Sequence, residues 1–458
     1  MLDLQQAAAA LKATLKGKNV RFSGVSSDTR TLKNGDLFVA LKGVRYDGRA
    51  FLAQAREKGA VAALVAKPES ASIEAQLAAQ GDLPLLIVKD TRNSLGELAA
   101  YWRGRFDIPV IAVTGSNGKT TVKEMLADIL RMAVGSPQAV LATRGNLNND
   151  IGVPLTLLEM RSEHRFAVIE MGMNHSGEIA YLTNLAKPDV ALVNNVAPAH
   201  LEGLGSLEQA ARAKGEIFEG LSKNGVAVIN ADDEYADLWR GLCTGKRVLD
   251  FGFNHPAAVN ARCELRRSGA EITVQTGNSE MHLNLHVAGL HNARNALAAA
   301  TCALALDIGP EAISAGLAAF SGVKGRMQRV PGKNGAELID DTYNANPESV
   351  RAAVEVLRSE PGKKVLVLGD MGELGKQGPE LHKQIGNQAR DAGIDVLYTL
   401  GELSADAARQ FGKGARHFAQ IEELLAEAEK LLAPGVTMLV KGSRFMQMER
   451  IVERFTAE

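Results

Sequence analysis

The chain has 458 residues, of which 46% are hydrophobic and 23% charged, and its formal net charge at pH 7 is −1. This length predicts two or three domains, and the even charge balance argues against a nucleic-acid-binding protein and an acidic tail. Its cysteines, Cys243, Cys263 and Cys302, are odd in number and form no C-x-x-C pair, which argues against a disulfide framework and a zinc site. We therefore expect a protein of a reducing compartment.

No segment predicts export or membrane insertion. The first residues, M-L-D-L-Q-Q-A-A-A-A-L, include an early acid and lack the basic stretch of a signal peptide. The longest apolar stretch, residues 296–306, is shorter than the roughly 18 residues that a membrane span needs. We expect a cytoplasmic protein with no membrane partner.

Residues 1–89 predict a small mixed α/β domain. Short apolar runs at residues 37–41, 62–66 and 83–88 alternate with glycine-bearing turns. An alanine-rich stretch at residues 50–59 has the composition of a helix.

Residues 90–320 repeat a strand followed by a helix. The strand candidates are apolar on both faces, as strands of a parallel sheet covered by helices should be. They are residues 110–113, 166–170, 190–193 and 226–230. Residues 281–287 instead alternate apolar and polar, which predicts a half-exposed strand paired with residues 272–274, and a helix is predicted from His291.

Residues 321–458 predict a further doubly wound unit. Its buried strand candidates, residues 364–368, 396–400 and 438–440, are separated by amphipathic helical segments. About 130 residues is a normal size for one domain.

The most informative segment, residues 110–126, reads V-I-A-V-T-G-S-N-G-K-T-T-V-K-E-M-L. Gly115 and Gly118 would let backbone N–H groups close around phosphate, and the helix after them would aim its positive end at the same anion. Lys119 adds a charge for the terminal phosphates, and the Thr120 hydroxyl is a ready Mg²⁺ ligand. The residues predicted to bind ATP here are Thr114, Gly115, Ser116, Asn117, Gly118, Lys119, Thr120 and Thr121.

An alternative for this segment is an ordinary strand-to-helix turn, because Gly, Ser and Asn are common turn residues. The usual P-loop spacing also requires a glycine at the position that Val113 occupies. The context of strand, turn and helix favours phosphate binding.

Two further candidates follow buried strands. Glu170 ends one strand, where ligands bind in open α/β sheets, and is placed to hold Mg²⁺; the alternative is a helix cap or a surface acid. His200 follows V-A-L-V-N-N-V-A-P-A, but a lone histidine is more often structural than a ligand.

The remaining candidates are weak individually. Lys214 in A-R-A-K-G-E-I-F reads as a solvated lysine on a helix. Asn292 and Asn295 share one helical face, where they would contact a base edge or cap the helix start. Arg326 in K-G-R-M-Q suits a phosphate clamp, and Asp341 lies in the polar turn D-D-T-Y-N-A-N-P.

Taken together, these segments resemble the Mur ligase family, in that family's order and over essentially the whole chain. The resemblance rests on the loop with Val113, E-M-G-M-N, the histidine after N-N-V-A-P-A, the lysine in A-K-G-E-I-F, H-N-x-x-N and K-G-R-M-Q. It implies an α/β fold of three domains: a small mixed N-terminal domain (1–89), a central P-loop ATPase-like parallel sheet with helices on both faces (90–320), and a Rossmann-like doubly wound C-terminal domain (321–458).

Two segments narrow the resemblance within the family. T-R-G-N-L-N-N-D-I-G-V-P (residues 143–154) and D-D-T-Y-N-A-N-P are similar to the branch that adds D-alanyl-D-alanine to UDP-N-acetylmuramoyl-tripeptide in cytoplasmic peptidoglycan precursor synthesis. S-S-D-T-R and G-D-L-F-V-A-L-K-G-V-R-Y-D-G-R-A-F resemble a UDP-binding domain. The shared pattern commonly has D-G-H-x-F, whereas this chain has Arg49 in place of the histidine.

The resemblance implies a role for each candidate. ATP would phosphorylate the tripeptide's terminal carboxylate, and the dipeptide amine would displace phosphate. Lys119 would contact the β- and γ-phosphates, Thr120 and Glu170 one Mg²⁺, and His200 a second; Lys214 would bind metal if carbamylated. Asn292 and Asn295 would meet adenine, Asp341 the ribose, and Arg326 the γ-phosphate after domain closure. The implied UDP-substrate contacts are Ser26, Thr29, Arg45, Asp47, Asn146 and Asn148.

Rival functions remain open from the sequence. The nearest are the preceding peptide-adding ligase and a folylpolyglutamate-synthase-like ligase. A nucleotide-dependent switch would need an N-K-x-D segment, and none is visible. A simple phosphotransferase would release a phosphorylated product instead of free phosphate. We expect a monomer that binds no nucleic acid.

Overall fold

Three sheets make up the protein in the computed structural model, which describes residues 1–43, 46–69, 73, 82–197 and 205–457. Arg45 and His200 lie outside the described residues. The sheets have five, nine and six strands and are mostly parallel. The predicted α/β fold class is confirmed. No helix in the described ranges combines the length and apolar character that a membrane crossing requires.

The first sheet has the order β1-β5-β4-β3-β2, in which β1 is antiparallel to β5 and the other pairs are parallel. Its strands are β1 (Thr14–Lys16), β2 (Gly24–Ser26), β3 (Asp36–Val39), β4 (Ala62–Ala66) and β5 (Leu85–Val88). Among the described residues, the helices of this part are α1 (Leu4–Leu11) and α2 (Leu52–Glu57), and a 3₁₀ turn at Gly48–Phe51 leads into α2.

The second sheet has the order β14-β13-β12-β11-β10-β9-β6-β8-β7. Its strands are β6 (Val110–Thr114), β7 (Val140–Ala142), β8 (Phe166–Glu170), β9 (Val190–Val193), β10 (Val226–Asn230), β11 (Arg247–Gly252), β12 (Val259–Arg266), β13 (Gly269–Thr276) and β14 (Ser279–Leu285). Strands β6 to β12 run parallel, whereas β12, β13 and β14 form antiparallel hairpins. The predicted pairing of the alternating strand is confirmed, since Met281 lies opposite Val274.

Helices cover both faces of this sheet because successive side chains of its strands point to opposite sides. The helices are α3 (Thr91–Arg103), α4 (Lys119–Val134), α5 (Gly152–Leu158), α6 (Glu178–Ala186), α7 (Leu207–Gly215), α8 (Ala236–Leu242), α9 (Leu290–Leu304) and α10 (Pro310–Ala319). In β6, Ile111 and Val113 pack in the core with α4, α9 and α10. Val110 and Ala112 pack in the core with α3, α5 and α6.

The third sheet has the order β15-β16-β20-β17-β18-β19, with β15 antiparallel and the rest parallel. Its strands are β15 (Gln328–Pro331), β16 (Glu337–Asp341), β17 (Lys363–Gly369), β18 (Val396–Leu400), β19 (Ala415–Phe418) and β20 (Val436–Lys441). Its helices are α11 (Pro347–Arg358), α12 (Gly378–Asp391), α13 (Ala405–Phe411), α14 (Ile421–Glu429) and α15 (Glu449–Phe455).

The topology gathers polar residues at the carboxyl edges of two sheets. In the second sheet β6, β8 and β9 are parallel neighbours, so the segments that follow them emerge side by side. In the third sheet β16 and β20 are parallel neighbours and end on Asp341 and Lys441. Ligands bind at such edges in open α/β sheets.

Candidate active site

The loop between β6 and α4 has a backbone that only glycine adopts readily. Gly118 has φ +77° and Gly115 has φ +154°, both in the region that disfavours side chains. A Cβ on Gly118 would also lie 2.3 Å from Asn295 Oδ1 and 2.8 Å from Asn194 Nδ2. Because the N-cap of α4 is Gly118, no side chain caps the first N–H groups of this helix, and they suit an anion.

Two asparagines that follow β9 hold the loop through hydrogen bonds to its backbone. The N–H of Ser116 donates to the Asn195 carbonyl at 3.0 Å, and the N–H of Asn117 donates to Asn195 Oδ1 at 2.8 Å. The Asn117 carbonyl accepts from Asn194 Nδ2 and Asn195 Nδ2, each at 3.0 Å. These contacts fix the loop backbone on the neighbouring strand.

Lys119 folds over its own loop. Its Nζ donates to the Gly115 carbonyl at 2.6 Å and to the Ser116 carbonyl at 3.3 Å. Burial lowers the pKa of Lys119, the carboxylate of Glu170 opposes this effect, and the charge of Arg326 adds to it. The ammonium is therefore poorly solvated, and a polyphosphate would satisfy it better than two carbonyls do.

Glu170 is only 2% exposed, and one of its oxygens has no partner. Its Oε1 accepts from Asn148 Nδ2 at 2.8 Å, whereas Oε2 is buried and accepts no hydrogen bond. An unpartnered buried carboxylate oxygen is costly, so this atom fits a cation ligand. Among the described residues no group of three or more His, Cys, Asp and Glu is arranged to hold a metal alone. A metal at Glu170 would therefore draw on the Thr120 hydroxyl and on a bound phosphate.

Lys214 lies near the C-terminus of α7 and is 3% exposed, so it is not the solvated lysine that its sequence context predicts. Burial, and secondly the charge of Lys119, lower the pKa of Lys214 to about 7. A large share of this amine is therefore neutral and nucleophilic at physiological pH.

Asn292 and Asn295 are buried on α9, where they hold local structure together. Asn292 Nδ2 donates to the Ala288 carbonyl at 2.8 Å, and Asn295 Oδ1 accepts from Asn194 Nδ2 at 3.0 Å. Asn295 thus ties α9 to Asn194, which in turn holds the loop at the Asn117 carbonyl. Their neighbour His291 is neutral at physiological pH, since burial lowers its pKa to about 4.

The third domain places a guanidinium against the loop. Arg326 Nη2 donates to Thr120 Oγ1 at 2.9 Å, and the guanidinium carbon lies 4.1 Å from the centre of the Tyr343 ring. Asp341 accepts from Lys441 Nζ at 2.6 Å in a buried ion pair. The second and third domains therefore meet at the loop.

These residues line one cleft of about 1860 Å³ between the second and third domains. The predicted site residues along it are Thr114, Gly115, Ser116, Asn117, Gly118, Lys119, Thr120, Thr121, Asn146, Asn148, Glu170, Lys214, Asn292, Asn295, Arg326 and Asp341. Segments far apart in sequence are thus brought together around the loop.

Three family profiles match the chain in order. They are "Mur ligase family, catalytic domain" at residues 21–103, "Mur ligase middle domain" at 113–303 and "Mur ligase, glutamate ligase domain" at 325–444. The UDP-N-acetylmuramoyl-tripeptide--D-alanyl-D-alanine ligase of Escherichia coli (strain K12) is 44% identical, with 98% of this chain and 97% of the relative covered. The chain belongs to the Mur ligase family.

Solved structures agree with this assignment. MurF from Acinetobacter baumannii has a TM-score of 0.89 at 36% identity, covering 98% of this chain and 97% of that chain. MurF ligase from Thermotoga maritima in complex with ADP has a TM-score of 0.80 at 28% identity, covering 94% and 96%. Folylpolyglutamate synthase from Mycobacterium tuberculosis, at 16% identity and a TM-score of 0.63, shares the fold alone, over 79% of this chain and 94% of that chain.

The residues of the first domain that were predicted to contact the UDP-substrate do not line this cleft of the Mur ligase. Ser26, Thr29 and Asp47 are not among the described residues that line it. Thr29 Oγ1 donates to Gln54 Oε1 at 2.8 Å, and Ser26 Oγ donates to the Asp28 carbonyl at 3.0 Å. Arg45, like His200, lies outside the described residues.

Arg49, the departure from the family pattern, contacts one of these residues. Its Nε donates to both carboxylate oxygens of Asp47, at 3.0 and 2.9 Å, and its Nη2 donates to Oδ2 at 2.5 Å. The hydrogen bond from Arg49 holds the pKa of Asp47 below its usual range. The Asp47 carboxylate is therefore already paired with the Arg49 guanidinium.

Sequence reasoning missed the asparagines that support the loop. Asn194 and Asn195 stand directly after a buried parallel strand, which is the signal that singled out Glu170. Asn346, in the turn D-D-T-Y-N-A-N-P, donates to the side chain of Asn117. The turn was recognised from its polarity, but nothing in its sequence indicates that partner.

Proposed function

We propose that this Mur ligase joins D-alanyl-D-alanine to UDP-N-acetylmuramoyl-tripeptide, converting ATP to ADP and phosphate, in cytoplasmic peptidoglycan precursor synthesis. The observation that carries the proposal is the meeting of Arg326 and Thr120 at 2.9 Å, which brings a cation of one domain onto the nucleotide loop of another. The substrates are those in the names of full-length relatives, such as those of Escherichia coli and Haemophilus influenzae at 44% and 41% identity.

The chemistry begins with activation, because a carboxylate oxygen is a poor leaving group. A tripeptide carboxylate oxygen attacks the γ-phosphorus, the bond to the β-phosphate oxygen breaks, and ADP leaves. The dipeptide amine then attacks the acyl carbon and loses a proton, and phosphate departs with the bonding electrons. The protein supplies alignment and charge neutralisation.

Each cation has a role in that neutralisation. Lys119 exchanges its two loop carbonyls for β- and γ-phosphate oxygens, a stronger interaction because both partners are charged. Arg326 transfers from the Thr120 hydroxyl to the γ-phosphate. The face of Tyr343 holds the guanidinium during this exchange.

Mg²⁺ fits this site because Glu170 Oε2 is a buried oxygen with no partner beside the loop. Glu170 and the Thr120 hydroxyl would hold the ion, and His200 a second one. When bound, Mg²⁺ neutralises phosphate charge. Lys214 would contribute a ligand as a carbamate, for which its neutral amine is suited.

The remaining contacts divide between the two substrates. Asn292 and Asn295 would face adenine, and Asp341, oriented by Lys441, the ribose. The UDP-substrate would contact Ser26, Thr29, Arg45, Asp47, Asn146 and Asn148. The proposed domains are residues 1–89, 90–320 and 321–458, in a protein that acts as a monomer.

The test is a reaction with ATP, UDP-N-acetylmuramoyl-tripeptide and D-alanyl-D-alanine, followed by ADP release and by the mass of the peptide product. We expect ADP, free phosphate and a lengthened peptide, with no ADP when the dipeptide or the UDP-substrate is omitted. Parallel reactions with tripeptides that carry diaminopimelate or lysine identify the accepted third residue. Turnover with a single amino acid or a folate substrate, and none with the dipeptide, would overturn the proposal.

A further inference from the structure

The side chain of one loop residue binds the third domain with both of its polar atoms. Asn117 Oδ1 accepts from Asn346 Nδ2 at 2.7 Å, and Asn117 Nδ2 donates to Glu348 Oε2 at 3.4 Å. The two partners lie at the N-terminal end of α11, more than 200 residues away in sequence. This contact joins the nucleotide loop to the third domain at a second point beside Arg326.

Residues of the middle domain already bind the backbone N–H and carbonyl of Asn117, so its side chain makes the contact with α11. Its backbone N–H donates to Asn195 Oδ1, and its carbonyl accepts from the side-chain amides of Asn194 and Asn195. With the backbone held in this way, the side-chain amide has a fixed origin from which it extends to α11. The side-chain contact of Asn117 therefore fixes the N-terminal end of α11 relative to the loop backbone.

Asn346 divides its amide between two tasks. Its Oδ1 accepts from the N–H of Ser349 at 2.9 Å and caps α11, and the Ser349 hydroxyl in turn accepts from the N–H of Asn346 at 3.0 Å. Capping requires only the oxygen, so serine, threonine or aspartate would serve as well. The Nδ2 donor is the part that asparagine adds, and its partner is Asn117.

We infer that Asn346 is a positioning residue, which orients the closed third domain by donating its side-chain N–H to Asn117. The inference rests on the proposed function, because the orientation matters for delivering Arg326 to the γ-phosphate. At the loop, the contact between Arg326 and Thr120 does not reach the N-terminal end of α11, whereas the contact between Asn346 and Asn117 holds that end against the loop. The Arg326 contact would be released when Thr120 binds metal, whereas the Asn346 contact uses only the side chain of Asn117 and leaves the loop backbone as it is.

The test separates the two tasks of Asn346. Asn346→Ser keeps a capping oxygen and removes the N–H donor, while Ser349→Ala removes the reciprocal bond of the cap and leaves the donor in place. Loss of one hydrogen bond from the closed state corresponds to roughly a two- to tenfold loss of its population. We expect Asn346→Ser to lower kcat by about that factor and to weaken ATP binding by no more than the same factor, and Ser349→Ala to lower Tm with kcat unchanged.

A double-mutant cycle with Asn117→Ala identifies the partner. Because both changes break the same contact, the double variant should be no slower than Asn117→Ala alone. Three results would each overturn the inference. The first is a kcat of Asn346→Ser equal to that of the wild type, and the second is a kcat of the double variant that falls by the product of the two single losses. The third is an equal effect of Asn346→Ser and Ser349→Ala on kcat and Tm.

A second measurement needs no turnover. Small-angle scattering of each variant with the imido analogue of ATP and Mg²⁺ reports the fraction of compact molecules. We expect a smaller compact fraction in Asn346→Ser than in the wild type and Ser349→Ala, and an unchanged fraction would refute the inference. A wild-type enzyme that closes but makes no product from the proposed substrates would refute the proposed function instead.

Discussion

Replacing Lys214 by methionine should stabilise the protein in buffer free of carbon dioxide. The unfolded chain exposes an amine with the ordinary pKa of 10.5, whereas the folded chain, in which this residue is 3% exposed, holds the pKa at about 7. At about 1.4 kcal/mol per pKa unit, burial of this ammonium costs the fold on the order of 4 to 5 kcal/mol near pH 7 and below. Methionine fills similar space without a charge.

The sign of the pH dependence follows from the lowered pKa. Below about pH 7 the folded and unfolded chains are both protonated at Lys214, so the full cost is present. As the pH rises toward 10.5, the amine is neutral in both states and the cost disappears. The stability advantage of Lys214→Met should therefore shrink between pH 7 and pH 10.

Carbon dioxide should remove much of the same cost in the wild type. A neutral amine adds carbon dioxide and loses a proton to form a carbamate. About half of the Lys214 side chains are neutral at pH 7, whereas roughly one in 3000 ordinary lysine side chains is. The resulting anion would lie near the ammonium of Lys119, the nearby charge that lowers the pKa of Lys214. Bicarbonate should stabilise the wild type and leave Lys214→Met unchanged.

Trp239 provides a local probe for this measurement. Its indole N–H donates to the Ala211 carbonyl on α7 at 2.9 Å, and it is fully buried against that helix. In a Trp102→Phe background, Trp239 is the single remaining tryptophan, so urea unfolding followed by fluorescence reports the region around Lys214. A Lys214→Met variant no more stable than its parent at pH 7 would refute the reasoning, as would a stability gap that does not narrow with pH.

Three further substitutions address the nucleotide site. Lys119→Ala should abolish ligation, because the terminal phosphates lose their cation, while calorimetry still detects binding of the UDP-substrate; normal turnover would contradict the scheme. Arg326→Ala should lower kcat by about 10²-fold and weaken ATP binding by a smaller factor, and a loss confined to ATP affinity would contradict a role for Arg326 in the closed state. Glu170→Gln should shift activation by Mg²⁺ to concentrations about tenfold higher, and an unchanged Mg²⁺ titration would remove Glu170 from the metal site.

The buried parallel strands could be predicted from the sequence. Strands β8, β9, β10 and β18 begin and end at the predicted residues, because apolar side chains on both faces leave few other arrangements. Strand β16 is not among the predicted strands, because only residues 338 and 339 of it are apolar. It extends through Asp340 and Asp341, whose burial depends on an ion pair with Lys441 and a hydrogen bond from Thr342.

For the candidate site, too, some features could be predicted from the sequence and others could not. That the loop residues and Glu170 lie along one cleft could be predicted, because strand ends in a parallel sheet meet at one edge. The neutral amine of Lys214 could not, since its helix context indicates solvent and only the packed structure buries it. Nor could the bond between Asn117 and Asn346, because an asparagine in a polar turn has no pattern that names a distant partner.

The polar contacts that Arg267, Arg326 and Asn346 make between the second and third domains are individually weak. Apart from the loop contacts, Arg267 in the turn after β12 donates to Glu337 Oε2 at 2.8 Å and to Glu360 Oε2 at 2.9 Å. Arg329 holds Glu360 Oε1 at 2.5 Å within the third domain, so opening leaves that buried carboxylate paired.

Half-exposed ion pairs contribute about 0 to 1 kcal/mol each and neutral hydrogen bonds about 0.5 to 1.5 kcal/mol. The contacts at Arg267, Arg326 and Asn346 therefore sum to a few kcal/mol before the cost of ordering the domains. An equilibrium of that size is shifted by a ligand that binds the closed state preferentially. Under the proposed roles ATP would meet this condition, because Lys119 would contact it in either state whereas Arg326 would reach it only after closure.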